Sequence, residues 1–385
     1  MGGTLTGTNE MYHVRFSGVG AKSFTNNAST TFLTIDSGAN VAFPSLLTIR
    51  DTYTNSGTAT TASSVVYTNG TIGSFLAGAS VGGSLTDASS IAVNSLVRVG
   101  TMLYAGKANS NTACSQTAGS AVGCELMVFN VSTTTSPLYV AGRDITGNNT
   151  GTGNIVVNHL AVSSNSQTLY MAKAGDATAC SQTAGSATGC ELMVFDISST
   201  TNPVYVAGRD VDGTAAGVAS INISSLVANN SVLYVSKAAA GATACSTTAS
   251  NCEIMVFSIS SSTNPTYITG RDASASAAGT QTLAVNNLTV NGSLLLAAKA
   301  GSATACSQTA GSAVGCELMV FAISRTTNPT YVAGRDVTGD STGVGNLGIN
   351  FVAATGSLAY VAKAGSATAC SEVAGSATGC ELMVF

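Results

Sequence analysis

Charge is scarce in this chain. Asp, Glu, Lys and Arg make up 8% of its 385 residues, against roughly 25% in typical globular proteins. The net charge is −4, so the basic footprint of a nucleic-acid binder is absent. Tryptophan is missing, and there are five prolines and two histidines, His13 and His159. No apolar run approaches the roughly 18 residues of a membrane span. No stretch keeps a helical period. The first residues, MGGTLTGTNEMYHV, lack the basic start and apolar stretch of a signal peptide. Disorder is excluded as well, because 45% of the residues are hydrophobic, ample for a core.

What is present is a repeat built on cysteine pairs. The ten cysteines fall into Cys114/Cys124, Cys180/Cys190, Cys245/Cys252, Cys306/Cys316 and Cys370/Cys380. Successive second cysteines lie 66, 62, 64 and 64 residues apart. A period of this size calls for a propeller or a solenoid. Residues 283–339 show one unit: LAVNNLTV, SLLLAAKA, CELMVFAIS and PTYVAGRDV, with NG and TTNP turns between the first and last pairs. Four short β-rich runs joined by turns describe a four-stranded blade. We label them strands A to D. Pro137, Pro203, Pro265 and Pro329 each precede strand D by one step; proline cannot donate a ladder hydrogen bond, which suits an outer edge strand.

Upstream, FLAGAS (75–80) reads as a degenerate strand D, with Ala79 where arginine recurs. The expected fold is therefore all-β. A β-propeller of four-stranded blades spans residues 73–385, with a strand D at 73–82, four ABCD blades and a final ABC closing the ring. That gives five blades if the chain is complete and a larger ring if it is truncated. Residues 1–72 lack cysteine and read as short strands separated by Ser, Gly, Asn and Thr turns, a β-solenoid-like stalk fragment.

Within the stretch MVFDIS…TNPVYVAGRD (193–210) and its copies, followed by an LYVAK-like strand, the units resemble the LVIVD family of β-propeller repeats. The resemblance covers about residues 73–385 and implies a propeller, often extracellular, with no fixed activity. The cysteine insertion makes these units longer than the family's usual repeat.

The cysteine pairs read as disulfides. Each flanks a loop of small residues at the mouth of the B–C hairpin, where facing positions lie about 4.5–5.5 Å apart. The third loop is shorter, STTASN, yet keeps both cysteines. Zinc would need four ligands, and each unit offers two. No metal and no cofactor is therefore expected, and the Asp spacing of RDVDGT (209–214) matches no full calcium-loop motif. Five disulfides favour an extracellular or cell-surface setting. The missing leader is then expected to lie in upstream sequence of a longer exported protein.

Strand order puts the B–C and D–A loops on one face, and the repeated charges gather there. They are Lys107, Lys173, Lys237, Lys299 and Lys363; Glu125, Glu191, Glu253, Glu317 and Glu381; and Arg143/Asp144, Arg209/Asp210, Arg271/Asp272 and Arg335/Asp336. Two readings stand. The pairs fix register as Lys–Glu and Arg–Asp contacts, worth about 0.2–1 kcal/mol each if exposed; or they form a ring of polar binding sites. A repeated polar position on strand A, Asn94, Asn158, Ser224, Asn286 and Asn350, is expected to tie down its own blade's backbone, the alternative being a ring around the channel axis that holds water or an ion.

The inner strands carry no Asp or Glu, so a glycosidase pair of carboxylates is missing, and no catalytic residue is assigned. The functional expectation is a non-catalytic structural and adhesive module of a surface or secreted protein. The alternative is a multivalent lectin-like propeller. A surface glycan or a protein is the class of partner either reading implies; nucleic acid and a membrane span are not.

Overall fold

The structure is a computed structural model. It describes residues 4–67 apart from 6–9, 25–27, 44–45, 57 and 61–63, then Ala79 and Gly83, then 91–385 apart from 109, 133–136, 200, 239–243, 246–250, 262, 325–327 and 372. Two compact units divide the chain, Met1–Leu76 and Ala77–Phe385.

The first unit holds eight strands: β1 (Thr4–Leu5), β2 (Glu10–Phe16), β3 (Gly20–Phe24), β4 (Ala28–Ile35), β5 (Ala39–Ala42), β6 (Leu46–Asn55), β7 (Thr58–Thr60) and β8 (Ser64–Tyr67). Odd strands form one sheet in the order β1-β3-β5-β7, and even strands another, β2-β4-β6-β8. Both are parallel. The chain thus crosses between sheets at every step. Alternation drives it: Val14 and Phe16 are buried while His13 and Arg15, which precede each of them, are exposed, as a period-2 strand requires. Val14, Phe16, Leu33, Ile35, Val41 and Phe43 share one core.

The second unit is a five-bladed β-propeller. Blade 1 comprises β9 (Val93–Val99), β10 (Met102–Lys107), β11 (Leu126–Asn130) and β12 (Leu138–Arg143). Blade 2 comprises β13 (Val157–Val162), β14 (Thr168–Lys173), β15 (Leu192–Asp196) and β16 (Val204–Arg209). Blade 3 has β17 (Ile223–Asn229), β18 (Val232–Lys237), β19 (Ile254–Ser258) and β20 (Thr266–Arg271). Blade 4 has β21 (Val285–Asn291), β22 (Leu294–Lys299), β23 (Leu318–Ala322) and β24 (Thr330–Arg335). Blade 5 shows β25 (Ile349–Thr355), β26 (Leu358–Lys363) and β27 (Leu382–Val384). Every pairing is antiparallel and follows chain order. The inner strands pack in series, β9 on β13, β13 on β17, β17 on β21 and β21 on β25. The strands expected from the repeat are these.

The upstream strand D at 73–82 lies outside the described residues except for Ala79. Its following turn is partly visible. A Cβ on Gly83 would sit 2.8 Å from the Tyr139 ring, as one on Gly147 would from the Tyr205 ring. Gly83 therefore takes on blade 1 the place Gly147 takes on blade 2.

The core lies between blades. Met102, Tyr104, Leu126 and Val128 of blade 1 meet Leu169, Met171, Met193 and Phe195 of blade 2. Because each middle blade is covered on both faces, its second strand is buried on both; all six residues of β14 are buried, Thr168 and Lys173 among them. The A–B turn needs a left-handed residue, supplied by Gly100, Asn230, Gly292 and Gly356. No helix among the described residues is long and apolar enough to cross a membrane.

Candidate functional site

All five cysteine pairs are closed: Cys114–Cys124, Cys180–Cys190, Cys245–Cys252, Cys306–Cys316 and Cys370–Cys380. Their loops and the D–A turns share one face. Blade 2 shows how they interlock. The amide of Cys180 donates to the Gly217 carbonyl of its own D–A loop (2.9 Å), while the amides of Gly185 and Ala187 donate to Thr146 of blade 1 (2.8 and 3.2 Å). Blades 4 and 5 repeat this, using Ser274 and Thr338 of the preceding blade as acceptors. Each of these loops thus stitches its blade to the one before.

Gln182 closes the outer edge of β16. Its Nε2 donates to the Gly208 carbonyl (3.1 Å) and its Oε1 accepts the Gly208 amide (3.1 Å). An edge strand left open is a template for pairing with other chains; the side-chain amide occupies that position. Tyr205 Oη donates to Ser181 O (2.7 Å) and lies 3.6 Å from Cys190 Sγ. A Cβ on Gly208 would meet that sulfur at 2.5 Å. This contact explains the glycine of each AGRD or TGRD run.

The repeated charges are internal. Lys107, Lys173, Lys237 and Lys299, Glu125, Glu191, Glu253 and Glu317, and Asp144, Asp210, Asp272 and Asp336 are buried, as is Lys363; Glu381 at the last blade is exposed. The expectation of exposed Lys–Glu and Arg–Asp pairs gives way to a different bonding pattern. Lysine Nζ donates to a backbone carbonyl: Val122 for Lys107, Thr188 for Lys173, Val211 for Lys237, Val314 for Lys299 and Thr378 for Lys363. Glutamate Oε1 accepts a loop amide, as Glu191 does from Asp176 (3.0 Å) and Glu317 from Ser302 (2.9 Å). Its Oε2 accepts a second from the D–A turn, Val211 for Glu191 (3.3 Å) and Ala273 for Glu253 (3.1 Å). The buried chain buries more backbone than it can pair with itself here, and the charged side chains satisfy it. Burial pushes Glu125, Glu191 and Glu317 up to about 8 and pushes Lys173, Lys237 and Lys299 down, each partner's opposite charge working against its burial.

Asp210 folds the D–A loop on itself: Oδ1 accepts the Asp212 amide and Oδ2 the Ala219 amide, both at 2.8 Å. Burial raises its carboxyl to about 6. The arginines reach forward rather than to their neighbouring aspartates. Arg143 bonds Asn202 of the next blade, Arg209 bonds Asn264 and the Pro265 carbonyl, and Arg271 bonds Asn328 and the Pro329 carbonyl. Arg335 of blade 4, half-buried, bonds Gly334 O.

On the inner strand the register slips by one residue, between Val157 and His159 in blade 2 and at the same place in the other blades. The bulge re-aims the extra side chain. Asn94, Asn158 and Asn286 donate to the carbonyls of Val157, Ile223 and Ile349. They tie down the next blade's backbone, not their own as expected. The following residue accepts an amide in return: Ser95 from Leu160, His159 from Leu226, Ser225 from Leu288 and Asn287 from Val352. These acceptors were missed in the sequence, where they share no residue type; their constant place after the repeated Asn or Ser was the available signal.

Among the described residues no three His, Cys, Asp or Glu side chains group as a metal site. The tips that remain exposed carry small residues, such as Thr117–Ser120 and Thr183–Ser186.

No family model matches the chain, and no curated protein matches it. Solved structures similar in part include a periplasmic gluconolactonase of Pseudomonas aeruginosa (14% identity, TM-score 0.41, covering 68% of this chain and 60% of that one). Another is the extracellular domain of a putative hybrid two-component system from B. thetaiotaomicron (13%, TM-score 0.37, 71% and 25%). A third is an exo-β-1,3-galactanase from Phanerochaete chrysosporium (11%, TM-score 0.39, 74% and 58%). The chain spans about three-fifths of the gluconolactonase it matches.

Proposed function

We propose that this chain is a non-catalytic, extracellular structural and adhesive module, an LVIVD-like propeller carried with β-solenoid rungs. One observation carries the reading: the repeated Lys, Glu, Asp and Arg side chains of the cysteine-loop face are engaged inside the fold. They stiffen the array, and the loop tips left outside, such as Thr117–Ser120 and Thr183–Ser186, carry small uncharged residues. Five closed disulfides support an oxidising setting. The alternation of successive strands between two parallel sheets supports the solenoid reading of residues 1–72. Ligand contact, to a glycan or a protein, then falls on the exposed loop tips, whose repetition raises avidity.

Fractionation of the source cells with non-reducing peptide mapping tests localisation. Recovery outside the cytoplasm with all five disulfides supports the reading; a reduced cytoplasmic protein overturns it. The purified oxidised chain on glycan and matrix-protein arrays tests adhesion. Selective, saturable binding to one glycan class would move the assignment to a lectin.

A further inference from the structure

We propose that Asn130, Asn229 and Asn291 are sites of N-linked glycosylation, so that the face opposite the disulfide loops carries oligosaccharide. This goes beyond the adhesive role and rests on its extracellular setting. Asn130-Val131-Ser132, Asn229-Asn230-Ser231 and Asn291-Gly292-Ser293 each match the acceptor motif, an asparagine with a hydroxyl two residues on and no proline between. Each sits on a turn. Asn130 ends β11 at the C–D turn of blade 1; Asn229 and Asn291 end β17 and β21 at the A–B turns of blades 3 and 4. Those turns emerge on the side away from the B–C loops. Ser132, Ser231 and Ser293 are exposed, and the three asparagines partly so. The motif also occurs at Asn148 and Asn222 in the D–A connections, and at Asn27 and Asn69, outside the described residues.

The contacts of the three asparagines leave the reacting atom available. Asn130 Oδ1 accepts the Ser132 amide (2.8 Å), and Asn229 Oδ1 accepts from Asn230 Nδ2 (3.2 Å). Asn291 Nδ2 donates one of its two hydrogens to the Gly356 carbonyl (2.8 Å). Transfer needs a single hydrogen. A bond forms between Nδ2 and C1 of the first sugar, the bond from C1 to a lipid diphosphate breaks, and Nδ2 gives up one proton as the diphosphate leaves. The substituted amide keeps one N–H, which serves the Gly356 bond of Asn291. Asparagines that hold joints are kept from this reaction in two ways. Asn264 and Asn328, bound by Arg209 and Arg271, have threonine two residues on, but Pro265 and Pro329 stand between. Asn287 has the motif, yet it is buried and its Oδ1 accepts the Val352 amide of the next blade. The scarcity of surface charge gives the sugar a role. The repeated lysines, glutamates and aspartates of blades 1 to 4 are buried, and surface charge is what ordinarily keeps a chain soluble. A glycan hydrates the surface without it.

The test uses the full chain recovered from its source cells. Intact-glycopeptide mass spectrometry is expected to find sugar-mass increments on Asn130, Asn229 and Asn291, and none on Asn264, Asn287 or Asn328. Ser132→Ala, Ser231→Ala and Ser293→Ala each keep the asparagine and its contacts while removing the motif. Each is expected to lose the glycan at its own site alone. An exported, disulfide-bonded chain with all three asparagines bare overturns the proposal and leaves the adhesive reading standing. An increment that persists in the alanine variants, or that maps to a serine or threonine, overturns it as well, because the linkage is then a different one. One bare asparagine among the three overturns the assignment of that site. A reduced cytoplasmic chain overturns the adhesive reading and this proposal with it.

Discussion

The backbone amide of Leu226 donates to Nδ1 of His159 over 3.3 Å, joining blade 3 to blade 2. Accepting that hydrogen requires a neutral imidazole, and burial pushes the His159 pKa down from 6.5 to about 4. The unfolded chain therefore takes up the proton first as pH falls. Stability from this group is complete above about pH 6.5 and is lost progressively towards pH 4, by up to about 3 kcal/mol. The other joints use Ser95, Ser225 and Asn287, none of which titrates there. His159→Ser should remove that part of the acid slope in urea unfolding measured between pH 4 and 7.5. An unchanged slope would show that His159 titrates alike in the folded and unfolded chain, so that burial in the joint does not hold it neutral.

Arg209 and Arg335 occupy equivalent positions with unequal work. Arg209 is buried and bonds Gly208, Pro265 and Asn264. Arg335 bonds Gly334. Arg209→Ala is expected to cost roughly 2–4 kcal/mol, since it strips a charged donor from buried acceptors. Arg335→Ala should cost less than about 1 kcal/mol. Chemical denaturation of the two variants side by side measures the difference; equal losses would mean that the forward clamp onto the next blade contributes nothing.

Lys173 and Glu191 form a buried pair of opposite charges that bond mainly to backbone. Removing one leaves the other uncompensated, which typically costs about 3–5 kcal/mol. Lys173→Met and Glu191→Gln should each destabilise, and the double variant should lose less than the sum by at least about 1 kcal/mol. Strict additivity in the denaturation midpoints would show that the two charges do not sense each other.

The blade, its strand order and its disulfides were legible because each depends on spacing within one repeat. A proline six residues before an arginine, or a cysteine pair across a short loop, constrains only its own hairpin. Partners across a joint are another matter. Nothing in the residues around Asn158 says that the strand bulges there, and it is the bulge that turns the amide towards Ile223. Arg209 likewise could have met Asp210 beside it; the placement of the next blade's Asn264 decides otherwise. Leu96 and Leu160 sit in similar local sequence, yet one is exposed and the other buried. That difference comes from position in the array, which no single repeat encodes.

The Cys180–Cys190 bridge holds the loop that stitches blade 2 to blade 1, so its loss should be felt at two places. Closing a loop with a sequence separation of 10 is worth about 3 kcal/mol in loop-closure entropy. Within that loop Gly185 and Ala187 donate to Thr146 of the preceding blade. Freeing the loop lets both bonds open. Cys180→Ser with Cys190→Ser should therefore speed hydrogen exchange at the Gly185 and Ala187 amides, and also in the Asp144–Gly147 turn they bind. Blade 4, with its own bridge and its own joint to Ser274, should exchange as before, because each blade contacts only its neighbours. Exchange that rises uniformly through all five blades would instead mean that the propeller unfolds as one cooperative unit, with the disulfide acting on the whole rather than on its joint.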